Sequence, residues 1–240
     1  MKLTYIHHSG FLLETDSCSI LFDYYKGTLP EIRADKPLYI MTSHAHDDHY
    51  SKKIYTVAEE HMQSDAAATI LILSDDIREG DVPKKLLDHT VFLAPHEHWN
   101  DECLRVFTLL SNDQGLAYSI HVQDGDAHRN VFFAGDLNAW NWDGDEEDMA
   151  LIKVYYEELE LIKDYEYDLA FLPLDPRLKE NETQGITDFF DVCHCNAMKI
   201  APMHCWGDYA IIDRAKALKD DHPYMERLLT IRGDGDVFEV

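Results

Sequence analysis

Between Thr42 and His49 the chain reads Thr-Ser-His-Ala-His-Asp-Asp-His, three imidazoles and two carboxylates within the six residues from His44 to His49. Neutral imidazole and ionised carboxylate are the side chains that hold divalent metals such as zinc. Spacing says more than number. His44 and His46 are two apart, so in an extended segment they leave the backbone on one side and can grip a single ion. Asp48 and His49 follow as the chain turns and can face a second ion.

The flanking residues must position this cluster. Pro37 to Met41 is an apolar run of strand length, and Tyr50 to His61 reads as a helix. The cluster therefore falls in a strand-to-helix turn, held at both ends. Upstream, Leu3 to Ile6, Gly10 to Glu14 and Ser19 to Asp23 read as strands. Downstream, Thr69 to Leu73 reads as a strand buried on both faces. Val91 to Ala94 and Leu104 to Leu110 continue the series, and Leu116 to Val122 with Asn130 to Ala134 flank a hairpin turn at Asp124-Gly125-Asp126.

Strands and helices then alternate. Glu146 to Lys163 is an amphipathic helix, Leu169 to Pro173 a strand, Thr183 to Cys193 a helix and Lys199 to Met203 a strand. Asp208 is expected to cap a helix running to Leu218, and Arg227 to Ile231 and Val237 to Val240 to close the chain as strands. No repeat or Gly/Ser linker interrupts residues 1–240, so the expectation is one α/β domain of two sheets packed face to face with helices outside.

A two-metal site needs further ligands from later strand ends. Phe132-Phe-Ala-Gly-Asp136 ends a strand in a carboxylate able to bridge two ions, after a glycine that permits a tight turn. Met198-Lys-Ile-Ala-Pro-Met-His204 ends in an imidazole. Ser111-Asn112-Asp113 follows the strand Leu104 to Leu110.

Composition narrows the function classes. The chain has 240 residues, 45% hydrophobic, with a formal net charge of −25. Phosphate backbones and anionic membrane surfaces demand clustered Lys and Arg, so neither nucleic acid nor membrane is an expected partner. Five cysteines, an odd number, argue for a reducing compartment rather than a disulfide framework. With no signal-peptide or membrane-spanning run, the expectation is a cytoplasmic protein, monomeric or homo-oligomeric, acting on a small molecule.

With these residues in view, the sequence resembles the metallo-β-lactamase superfamily. His44, His46, Asp48 and His49 match its H-x-H-x-D-H signature, Asp23 its aspartate at the end of an early strand, Asp136 its bridging aspartate and His204 its C-terminal histidine. The opening Tyr5-Ile-His-His-Ser-Gly-Phe-Leu-Leu-Glu14 resembles the branch that includes the ascorbate-6-phosphate lactonases, with His8 at the position of a histidine near the metals. The resemblance implies an αββα sandwich with metals at one edge between the sheets. In one place the chain departs from the pattern: the loop that usually supplies a third histidine to the first metal reads Leu110-Ser-Asn-Asp-Gln-Gly115. Asp113 is the expected replacement, with Asn112 the second choice and a candidate substrate contact.

The implied cofactor is a pair of divalent ions. Zinc comes first; manganese or iron(II) are the alternatives that a carboxylate in place of imidazole favours. Two such ions share a water, lower its pKa and polarise the bond it attacks. Asp48 is expected to take the proton and His8 to donate to the leaving group. His8 has a second reading, as a structural partner of a ligand carboxylate. Trp142, Trp206 and Arg177 are candidates for the substrate pocket, as is Trp140, with burial in the core as its competing role. Cys193 and Cys195, placed in a helix, have poor geometry for an ion, and His96-Glu97-His98 reads as a solvated loop. The expected function is hydrolysis of a small ester, lactone or phosphoester. A non-catalytic metal or ligand binder on the same scaffold is the alternative, and a nuclease the lesser one.

Overall fold

The computed structural model describes residues 1–63 and 68–240. In chain order the strands and helices are β1 (Lys2–His7), β2 (Gly10–Glu14), β3 (Ser19–Phe22), β4 (Leu38–Thr42), α1 (Lys53–Met62), β5 (Thr69–Ser74), β6 (Thr90–Leu93), β7 (His98–Asn100), β8 (Leu104–Leu110), β9 (Leu116–Asp124), β10 (Ala127–Phe133), α2 (Glu146–Glu160), β11 (Glu166–Pro173), α3 (Gln184–Asp191), β12 (Asn196–Met203), α4 (Ala210–Lys216) and β13 (Val237–Glu239). They form two mixed sheets, one ordered β13-β1-β2-β3-β4-β5-β6 and the other β12-β11-β10-β9-β8-β7.

Period-two alternation explains how one sheet serves two interiors. In β4, Leu38 and Ile40 join Ile54, Tyr55 and Ala58 of α1 in an outer core. Tyr39 and Met41 of the same strand face the inner core, with Phe22, Tyr118, Phe133 and Phe171. There Phe22 and Phe133 stack across the sheets at 4.6 Å, with Phe171 tilted against both at 5.2 and 5.3 Å. Such pairs contribute about 0.5–1.5 kcal/mol beyond the area they bury. Ile152, Tyr155 and Leu159 of α2 and Ile186 and Phe189 of α3 pack into the same core.

Strand direction decides where the chemistry lies. β3 runs parallel to β4 in one sheet, and β10, β11 and β12 run parallel in the other. The carboxyl ends of such strands open a crevice that connecting loops can furnish.

Three local expectations are corrected. Asp208 caps no helix: α4 starts at Ala210 with no side-chain cap, and the Asp208 carboxylate instead accepts from Arg214 Nη2 at 2.9 Å. Residues 227–231 make no strand. Pro223–Arg227 is a 3-10 turn, and Leu228 meets Ile200 in a single bridge while Leu228, Leu229 and Ile231 are buried by packing. Cys193 and Cys195 lie beyond α3, which ends at Asp191, where the N–H groups of Val192 and Cys193 both turn back to the Asp188 carbonyl. His98 opens β7, paired with and stacked on Phe107 at 4.6 Å, and His96 Nε2 meets Glu158 at 3.0 Å. His96 and Glu97 lie in an exposed loop as expected, and His98 alone of the three joins the strand edge.

Candidate metal centre

Six residues expected from sequence meet at the carboxyl edge of the two sheets. His44, His46 and Asp136 offer ligand atoms that all lie within 4.8 Å of one another, and so do His8, His49 and His204. His44 Nε2 stands 3.0 Å from His46 Nδ1 and 3.5 Å from Asp136 Oδ2. The other Asp136 oxygen, Oδ1, lies 3.1 Å from His49 Nε2 and 2.8 Å from His204 Nε2. Asp136 thus gives one oxygen to each group of imidazoles, the arrangement of a bridging carboxylate.

The backbone is bent to achieve this. Among the described residues, seven that are not glycine have positive φ, and four of them surround the cluster: His8 (56°), Asp23 (39°), His204 (60°) and Trp206 (49°). Left-handed backbone at residues other than glycine is costly and gathers where function over-determines the conformation. Each of these residues lies just after a strand, where a sharp turn swings the side chain into the crevice.

Groups behind the imidazoles fix their tautomers. Asp23, fully buried, accepts from the Ser43 N–H and hydroxyl at 2.7 Å each and meets His49 Nδ1 at 2.6 Å. With its proton given to Asp23, the Ser43 oxygen can accept from His44 Nδ1 at 2.9 Å. Nδ1–H held from behind leaves Nε2 as a lone pair facing inward, the second-shell pattern of metal-binding histidines.

The donor set fits a divalent cation. Asp136 Oδ1, His8 Nε2 and His204 Nδ1 are buried without a hydrogen-bond partner among the described residues, while His49 Nε2 and His204 Nε2 face each other at 3.0 Å. Inward-facing acceptors at such range need a shared cation, and a proton is the lesser substitute. Burial alone would depress His49 and His204, yet the Asp136 carboxylate raises both, aided by Asp23 at His49 and by Asp175 at His204. The same imidazoles overcome burial at Asp136 and hold its carboxyl well below the usual range. Burial pushes His8 and His44 down to about 4, so both are neutral ligands near neutral pH.

The remaining candidates are arranged around this centre. Asp48, beside His8 with Oδ2 3.5 Å from Nε2, is held well below the usual carboxylate range by that histidine. Asp113 is raised by burial and by the adjacent Asp136 charge. It belongs to neither group of three. It lines a cavity of ≈ 200 Å³ together with Asn112, Asp136, Trp140, Trp142 and Arg177. The Asn112 amide is taken up by backbone: Nδ2 donates to the carbonyls of Asn138 (2.7 Å) and Leu151 (2.8 Å), and the side-chain oxygen accepts from Asn138 N at 3.1 Å. Trp140 is buried, stacked at 5.9 Å on the half-exposed Trp142. The Arg177 guanidinium lies over the rings of Trp206 (4.5 Å) and Trp142 (5.5 Å).

Two residues were not singled out from sequence. Ser43 lies inside the signature run, and its role follows only from Asp23 being folded against it. Asp175 ends β11, in the same position after a strand that marked Asp136 and His204, and that placement was a readable signal.

Comparison with known proteins bears on the fold. Residues 2–103 match a family model described as a beta-lactamase superfamily domain. A protein of Desulforamulus reducens named as a metal-dependent hydrolase is 26% identical over 217 residues, 85% of this chain and 84% of that one. Igni18 of Ignicoccus hospitalis, described as a novel metallo hydrolase, superposes with a TM-score of 0.60 at 16% identity, over 100% of this chain and 98% of that one. A mutant of CmlA, a diiron β-hydroxylase from Streptomyces venezuelae, gives 0.62 at 10% identity over 100% of this chain, which spans about half (54%) of that longer protein. Two mixed sheets, helices outside and ligands gathered at one sheet edge together give this chain the metallo-β-lactamase fold.

Proposed function

We propose that the protein is a metal-dependent hydrolase of a small ester, lactone or phosphoester. The observation that carries this reading is Asp136, one oxygen toward His44 and the other toward His49 and His204, with Oδ1 buried and unpartnered. In this reading His44, His46 and Asp136 hold one ion and His49, His204 and Asp136 the other, with Asp113 standing in for an absent imidazole. A pair of divalent ions bound there would supply a water of lowered pKa and a polarised scissile bond.

The chain's own side chains do the rest. Asp48, ionised and partly open to solvent, orients the attacking water and accepts its proton on a carboxylate oxygen. His8 Nε2 is 3.5 Å from Asp48 and serves one of two roles: as Nε2–H it holds Asp48, and as a bare nitrogen it is lent to the ion at His49 and His204. Donation to the leaving group needs a protonated ring, and its pKa of about 4 disfavours that part. Trp142, Trp206 and Arg177 wall the mouth, and Arg177 receives an anionic group of the substrate. A lactone remains within this class through the resemblance of the Tyr5–Glu14 segment.

Elemental analysis of protein grown without metal supplementation, paired with a panel of esters, lactones and phosphodiesters, tests the reading. Two equivalents of metal with turnover are expected. His46→Ala should lose one metal equivalent and all turnover, and undiminished hydrolysis by that variant would overturn the mechanism. A non-catalytic binder would instead retain one ion or none and turn over nothing with any divalent metal.

A further inference from the structure

Asp175 follows β11, between the strand ends that carry Asp136 and His204. It is fully buried, and three residues converge on its carboxylate. Oδ1 accepts from the Arg177 backbone N–H and from its Nε, both at 2.9 Å. Oδ2 accepts from Arg177 Nη2 at 2.6 Å and Trp206 Nε1 at 3.1 Å, and lies 3.6 Å from His204 Nδ1.

We propose that Asp175 is a positioning residue that joins a metal ligand and an anion-reading arginine into one unit. It turns the His204 ring so that Nε2 faces Asp136, and it holds Arg177 by its Nε and Nη2 edge so that the Nη1 end is left to meet an anionic group of the substrate. The second half rests on the hydrolase reading; the first does not.

The geometry is restrictive. Guanidinium ordinarily grips carboxylate or phosphate through two parallel N–H bonds. Here Asp175 occupies the Nε/Nη2 fork, and Nη1, with no partner among the described residues, leaves only the end-on fork for a second anion. Rotation of the guanidinium would sacrifice its stacking on Trp206, itself pinned by the bond from its indole to Asp175. The chemistry read at this point is a carboxylate or a phosphoryl group met end-on, beside the indole face of Trp142.

The test uses Asp175→Asn, which keeps the shape, Asp175→Ala and Arg177→Ala, each first shown by circular dichroism and thermal melting to be folded. Metal-free proteins are titrated with Co²⁺ against a competing chelator and followed by visible absorption. The two Asp175 variants should bind one of two Co²⁺ equivalents about 10–100-fold more weakly, the range seen when such outer partners are removed. Arg177→Ala should bind cobalt as the parent does. In metal-loaded protein, KM is compared for neutral, carboxylated and phosphorylated esters of one alcohol. Both Asp175 variants and Arg177→Ala should raise KM for an anionic ester and spare the neutral one; which anion responds identifies the group read. Unchanged cobalt affinity in folded Asp175→Asn, or equal losses on all three esters, overturns the proposal. Absence of turnover by the parent would sink the hydrolase reading, and the cobalt titration would still decide the role of Asp175.

Discussion

At the scale of single residues, the centre is set by what stands behind each imidazole. Asp23 behind His49 and Ser43 behind His44 leave Nε2 free to point inward, and Asp175, 3.6 Å from Nδ1, is proposed to do the same for His204. In the proposed centre Asp113, which lies outside both groups of three, stands where the superfamily usually supplies imidazole. Asp113→His should shift preference toward zinc, raising the ratio of zinc to manganese affinity about tenfold or more by the softness of imidazole; competitive binding of the two metals measures it. Titration behaviour follows from burial. His8 and His44 have folded pKa values of about 4 against an ordinary 6.5. Between those values the unfolded chain binds protons that the folded chain refuses, so stability of the metal-free protein falls as pH drops from 6.5 to 4. The depressed carboxylates of Asp48, Asp136 and Asp175 extend that loss further into acid. His49 has the opposite sign: its pKa is raised, so its contribution is complete below 6.5 and disappears as pH rises through its folded value. Urea midpoints of metal-free protein from pH 7 down to 4 should therefore decline steadily; a flat profile would contradict the burial of His8 and His44.

At the scale of elements, strand ends carry the site, and glycines allow them to come close. A Cβ on Gly115, which has φ +71°, would lie 2.2 Å from the Ser43 carbonyl oxygen and 2.4 Å from His44 Cβ. Backbone cannot yield as a flexible side chain would. Gly115→Ala should destabilise by about 2 kcal/mol or more through strain at positive φ and clash, and should weaken metal binding by displacing His44. Gly80→Ala, with nothing within 4 Å of its Cβ, should change stability by no more than about 0.5 kcal/mol. Denaturant melts of the pair measure the contrast. These elements also mark what could be read from sequence. β2 and β8 are found with the expected bounds because alternation and turn residues punctuate them clearly. The meeting of His44, His46, His49, Asp136 and His204 was legible because the first three share a dense motif after a strand and the last two each follow an apolar run. Asp175 closes one too, but its meaning depends on Trp206 and His204, residues some 30 positions onward whose approach only the parallel pairing of β11 and β12 creates. Residues 227–231 misled for the converse reason: their apolar side chains are spent on packing, and no neighbouring strand completes a ladder.

At the scale of the whole molecule, each group of ligands draws on both sheets. The loops after β1 and β4 bring His8, His44, His46 and His49, while those after β10 and β12 bring Asp136 and His204. An ion bound by either group ties the two layers together, and ligands that bind only the folded chain stabilise it by mass action. At free metal about 100 times its Kd, one site contributes about 2.7 kcal/mol. For a chain of this size that corresponds to a rise in Tm of roughly 5–10 °C. Calorimetry before and after chelation should show a fall of that order or greater, and an unchanged Tm would mean that no ion spans the layers.

This division between layers also sets an order of events during synthesis. The histidines of the first layer leave the ribosome first, and His204 follows His49 by 155 residues. Neither group of three is complete before residues of the second sheet have been made, so in the proposed centre an ion would lock layers already formed instead of seeding them.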